Sequence, residues 1–223
     1  MRITAIASAI VLPLLASTVL AAGDPAAGQQ KAAVCGACHG VDGNSAPEIF
    51  AALKAPNLAG QSPEYIIKSL HDFKSGRRVS ESMSPQAQAV AEADIADLAA
   101  YFAKHQFKGN APSNKSLLAR GEKIYLKGTS GPNQVTACIG CHGPNGAGNR
   151  DWAKVYSRVP VVLAPAIGGQ HAAYVSAQLA AYKSGMRSTD PGRVMRNISA
   201  RMDEKDIVAV AEYVTTLQDS ARR

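Results

Sequence analysis

Apolar positions recur along this chain at spacings of three and four residues, in segments fenced by capping residues, proline and glycine. Ile207, Val210, Ala211 and Val214 fall on one face of a helix opened by Asp203. Ile95, Leu98, Ala99 and Phe102 show the same spacing in the first half. Asp24 followed by Pro25 supplies an N-cap and a proline at the first helical position. That predicts a helix delivering Cys35 at its C-terminal end. Ser62–Pro63 opens another helix in the same way, ending at Gly76, and Leu117 to Lys127 forms one more, stopped at Gly128. No convincing strand pattern occurs, so the chain reads as all-α.

The pattern is duplicated. Pro56-Asn57-Leu58-Ala59-Gly60-Gln61 aligns with Pro165-Ala166-Ile167-Gly168-Gly169-Gln170 at an offset of 109, as do Tyr65 with Tyr174 and Phe73-Lys74-Ser75-Gly76 with Tyr182-Lys183-Ser184-Gly185. Met83, Asp94-Ile95 and Tyr101 align with Met195, Asp206-Ile207 and Tyr213 at an offset of 112. A growing offset means one unit duplicated, with longer loops in the second copy. The polar, breaker-rich run around Gly109 to Asn114 reads as the join. The expected organisation is a first domain over 22–108, a linker over 109–115 and a second domain over 116–223.

Residues 1–21 read as a secretory signal. Arg2 is a short basic start, Ile3 to Val19 is largely apolar, and Val19-Leu20-Ala21 is a small-residue cleavage site. The alternative is an uncleaved anchor, since the segment approaches the short end of a membrane span. Hydrophobic content is ordinary at 46% and aromatic content low at 5%. Two domains of this size would have thin cores on side chains alone; a buried prosthetic group in each would supply the missing apolar mass.

The cysteines suggest which group. All four lie in two copies of one signature, Cys35-Gly36-Ala37-Cys38-His39 and Cys138-Ile139-Gly140-Cys141-His142, offset by 103. Two thiols three positions apart can each form a thioether to a haem edge, and the adjacent histidine can reach the iron. Disulfides would leave the following histidines unexplained. A thioredoxin-like dithiol needs a βαβ context, and paired zinc knuckles sit about 15–20 residues apart, against 99 residues between Cys38 and Cys138. The expectation is two covalently attached haem c groups bound by Cys35, Cys38, Cys138 and Cys141, with His39 and His142 as axial ligands. Attachment of such haems belongs to the outside of the bacterial cytoplasm, which fits the leader and predicts a periplasmic location.

A soft thioether opposite the histidine raises the haem potential relative to a second imidazole. Met83 is the one candidate in the first half. In the second, Met186, Met195 and Met202 compete, and the repeat selects Met195: it precedes Asp206 by 11 residues, as Met83 precedes Asp94. Met186 falls opposite Arg77 and Met202 opposite Val90. His71, His105 and His171 have no equivalents in the other half and read as structural or surface residues. A ligating histidine usually donates its other ring N–H to a carbonyl, and Pro56 and Pro165 are the candidates to present it.

On these residues the chain resembles the cytochrome c4 family of dihaem periplasmic cytochromes over essentially its whole mature length. The runs Gly169-Gln170-His171 and Asp206 to Ala211, and the spacing from each haem motif to its methionine, carry the likeness. The resemblance implies two tandem class I cytochrome c domains related by a pseudo-twofold axis, with haems close enough for fast electron exchange. It further implies electron transfer from a quinol-oxidising complex towards a haem–copper terminal oxidase. One departure is the longer loop after the second motif, which carries Trp152, the one tryptophan.

The net charge of +7 is uneven: residues 22–112 carry 8 basic and 9 acidic groups, residues 113–223 carry 15 and 8. Such a dipole orients encounters with charged redox partners, and the basic half suits an acidic partner face or peripheral contact with anionic lipid. No nucleic-acid recognition motif accompanies it. The expected function is an electron carrier rather than an enzyme. The alternatives are a cytochrome subunit of a periplasmic dehydrogenase and, less favoured, a dihaem peroxidase, which would need an iron with an open ligand position.

Overall fold

A computed structural model of the chain describes residues 23–148 and 164–217. The expected leader and the Trp152 loop lie outside these residues. In order, the helices are α1 (Pro25–Lys31), α2 (Ala33–His39), α3 (Pro47–Leu53), α4 (Pro63–Lys74), α5 (Met83–Ala89), α6 (Ile95–Lys104), α7 (Leu118–Lys127), α8 (Ile139–His142), α9 (Ala172–Ser184), α10 (Val194–Ser199) and α11 (Glu204–Thr216). Among the described residues the β-structure is confined to a single bridge position at Ala164. None of these helices is long and apolar enough to cross a membrane.

The capping chemistry acts where the sequence places it. Asp24 accepts from the Ala26 amide, Ser62 from Tyr65, and Asp203 from Asp206. Each satisfies one of the orphan N–H groups of a helix start. The first helix differs from its expected form. It breaks at Ala32 after Lys31, and a second helix, α2, runs through the motif to His39. Gly40 and Gly143, at φ 79° and 77°, end the two motif helices. Helices α3, α5 and α10 are of 7, 7 and 6 residues, too short to show a periodic stripe.

Each half has its own core. Ala32, Ile66, Leu98, Ala99, Tyr101 and Phe102 form the first, with Cys35 packed against it. Ile124, Tyr125, Leu179, Met202, Ile207 and Val210 contribute to the second, with Cys138 and Met195 packed against it. Helix α1 packs on α6 and α7 on α11, while α4 and α9 pack on α6 and α11 respectively. Both terminal crossings pivot on a glycine. A Cβ on Gly28 would lie 2.1 Å from the Asp97 carbonyl oxygen, and one on Gly121 2.1 Å from that of Ala209.

The halves meet through exchanged contacts. Arg78 donates to the Tyr174 hydroxyl at 3.0 Å and to Gln178 at 2.9 Å. Its repeat partner Arg187 donates to the Tyr65 hydroxyl and to Gln178, each at 2.7 Å. Both arginines are buried.

Candidate functional site

The motif helix does two things at once. It sets Cys35 and Cys38 one turn apart on one face of α2, and it brings His39 into a buried position at its end, 6% exposed. In the second half Cys138 caps the short helix α8, Cys141 lies within it, and His142 ends it at 7% exposure. All four cysteines are free, half-buried thiols. Burial pushes the Cys35 thiol up and the Cys138 thiol up to about 11. These two therefore stay protonated at neutral pH.

Both histidines are oriented from behind. His39 Nδ1 donates to the Pro56 carbonyl at 2.8 Å, and His142 Nδ1 donates to the Pro165 carbonyl at 2.9 Å. The proline carbonyls expected from the repeat are the ones used. With Nδ1 carrying the proton, Nε2 keeps its lone pair and is the atom offered to a metal. Burial lowers the pKa of both imidazoles, outweighing the upward pull of the proline carbonyls, which favours the neutral form that can bind a metal.

The methionines sort by environment. Met186 is 80% exposed, and Met202 is 2% exposed inside the second core. Met195 in α10 is half-buried and packs on the same cluster as Cys138. Met83 is half-buried at the first position of α5, where its amide donates to Ser80 Oγ at 3.1 Å. A lysine pins the far end of each methionine segment: Lys74 Nζ donates to the Val90 carbonyl and Lys183 Nζ to the Met202 carbonyl, both at 2.5 Å. Met202 therefore stands where Val90 stands in the first half, and Met195 where Met83 stands.

The other histidines are engaged elsewhere. His71 faces Glu92 at 3.4 Å. His105 sits edge-on to Tyr101, with ring centroids 4.7 Å apart, and His171 stacks on Phe50. A tyrosine that residue spacing does not reveal braces each motif. The Tyr101 hydroxyl donates to the Val41 carbonyl and the Tyr125 hydroxyl to the Gly143 carbonyl, each at 2.6 Å. The repeat pairs Tyr101 with Tyr213, yet α7 supplies the second brace while Tyr213 leans on Tyr125.

Among the described residues no three His, Cys, Asp or Glu side chains gather closely enough to hold a metal ion alone. Paired thiols beside a neutral imidazole with its Nε2 free, next to an apolar cluster, fit a covalently attached haem.

Comparison with known proteins agrees. The cytochrome c family profile matches residues 25–106 and again 118–218. The chain is 41% identical over 199 residues to cytochrome c4 of Pseudomonas aeruginosa, covering 88% of this chain and 90% of that one. It is 35% identical over 191 residues to the thiosulfate dehydrogenase electron acceptor of Thiomonas intermedia, covering 85% and 81%. The crystal structure of reduced recombinant cytochrome c4 from Pseudomonas stutzeri superposes with a TM-score of 0.74 at 38% identity, covering 88% of this chain and 100% of that one.

Proposed function

This chain belongs to the cytochrome c4 family, a dihaem electron carrier rather than an enzyme, and from that premise we propose how it binds its haems and where it works. Cys35 and Cys38 would hold the first haem, with His39 and Met83 supplying the ligands to its iron. Cys138 and Cys141 would hold the second, with His142 and Met195 in the same roles. When bound, a haem iron takes up and gives back one electron without making or breaking a substrate bond. The protein's part is to attach the group, fix its ligands and keep water from the iron. The observation that carries this reading is the pair of buried imidazoles, each aimed by a proline carbonyl beside a free thiol pair. Replacing Met195 tests it: the potential of the second haem should fall while the first stays. An unchanged second potential would mean another side chain ligates that iron.

We further propose a periplasmic protein made with a secretory signal over 1–21. Its domains span 22–108 and 116–223, with 109–115 as the link. Support comes from the apolar start of the chain and from two separate cores. The route is from a quinol-oxidising complex to a haem–copper terminal oxidase. Docking of the basic second half on an acidic partner face, or on anionic lipid, predicts electron-transfer rates that fall as salt rises. Rates independent of ionic strength would refute the steering.

A second acceptor role has its own support, the 35% identity to a thiosulfate dehydrogenase electron acceptor. Under that reading the donor is a periplasmic dehydrogenase, and co-purification of the chain with it is the expected result. A dihaem peroxidase would need an iron with an open ligand position, and under this reading Met83 and Met195 would each fill that position.

A further inference from the structure

Each of the two motif histidines is held by a peptide unit that the other domain grips. His39 Nδ1 donates to the Pro56 carbonyl, and the N–H of that same peptide unit, on Asn57, donates to Gln170 Oε1 at 3.0 Å. Gln170 Nε2 donates to the Asn57 carbonyl, also at 3.0 Å, and Oε1 accepts a further bond from the His171 amide at 3.1 Å. The second site repeats this with the domains exchanged. His142 Nδ1 donates to the Pro165 carbonyl, and the Ala166 N–H of that peptide unit donates to Gln61 Oε1 at 2.9 Å. Gln61 Nε2 donates to the Ala166 carbonyl at 2.9 Å, and Oε1 accepts from the Ser62 amide at 3.1 Å. Gln61 and Gln170 are 7% and 5% exposed; the Gln170 bonds are buried, and the two Gln61 bonds to Ala166 are part-buried.

The carbonyl and N–H of one peptide are conjugated. An acceptor on the N–H draws electron density onto the carbonyl oxygen, because linked hydrogen bonds polarise one another. A stronger acceptor behind the imidazole makes it a more basic ligand. A more basic axial ligand favours ferric iron and lowers the potential, one of the levers a protein has on a haem.

We propose that Gln170 of the second domain is a positioning residue for the first haem, and Gln61 of the first domain for the second haem, so that each potential is set from across the interface. The proposal rests on His39 and His142 being iron ligands. The two clamps are unequal. Asn57 Oδ1 also accepts from the Ser45 amide at 2.7 Å, which steadies the first peptide from its own side, whereas Ala166 has no side chain to do this. The second haem therefore depends more on its clamp.

The test uses full-length dihaem protein carrying Gln170→Ala or Gln61→Ala, with both potentials measured by redox titration and assigned by NMR of the hyperfine-shifted haem methyls. Gln170→Ala should raise the first potential and leave the second. Gln61→Ala should raise the second, by more, and leave the first. A shift in the variant's own domain, equal shifts in both, or no shift would overturn the proposal. If the alanine variants do not assemble, Gln170→Asn and Gln61→Asn keep the amide on a stem too short to reach, and the same crossed pattern is expected. His39→Ala separates the two layers. If it leaves the first haem's spectrum unchanged, the ligation itself is wrong; if it alters or abolishes that spectrum while Gln170→Ala shifts nothing, the clamp alone is wrong.

Discussion

Phe50 of the first domain lies flat on His171 of the second, with ring centroids 3.9 Å apart and 6° between the planes. Burial holds the His171 imidazole below its ordinary 6.5, against a smaller upward pull from a hydrogen bond to the Ser45 backbone. A base whose pKa is lower folded than unfolded binds fewer protons when folded. Its contribution is complete above 6.5 and is lost as pH falls from there through the folded value. Thermal stability should therefore drop on the acid side of 6.5. His171→Phe keeps a ring against Phe50 and cannot titrate, so it should flatten that part of the profile. An equally steep decline in the variant would assign the effect to other groups.

Met202 and Met195 should separate cleanly on mutation. Met202 is core, so Met202→Ala should cost about 2–5 kcal/mol of stability and leave both haem spectra unchanged. Met195→Ala should cost less stability and remove the methionine signature of the second haem alone. Denaturation and optical spectra of the two variants check this, and exchanged outcomes would mean the repeat was aligned wrongly.

Gly28 and Gly121 let the terminal helices touch. A methyl group at either would meet backbone oxygen at 2.1 Å, which no rotamer change relieves, so α1 must move off α6, or α7 off α11. Overpacking of this kind costs about 1–3 kcal/mol. Gly28→Ala and Gly121→Ala should each lower the melting temperature of the holoprotein, and unchanged melting would show that the crossings are looser than this geometry.

The caps of α1, α4 and α11, the apolar stripes of α6 and α11 and the two thiol–histidine motifs were legible because each is a local pattern with a local cause. The register of the repeat was legible too: it places Met202 opposite Val90, and the structure gives both the same lysine contact. What escaped has a non-local cause. The break at Ala32 leaves no proline or glycine in the sequence to mark it. The Tyr125 brace breaks the repeat, because α7 replaces α11 as the source of the hydroxyl. Gln61 and Gln170 were visible as repeated letters, but that each serves the opposite domain follows from how the halves dock.

The proposed carrier holds two haems, each attached at its cysteine pair and ligated by histidine and methionine. The direct test is to quantify covalent haem per chain in the mature, exported protein and record the near-red band of ferric iron–methionine ligation. Two haems, both carrying the band, is the predicted result. Two haems with one lacking it would leave an iron open and contradict the sealed carrier.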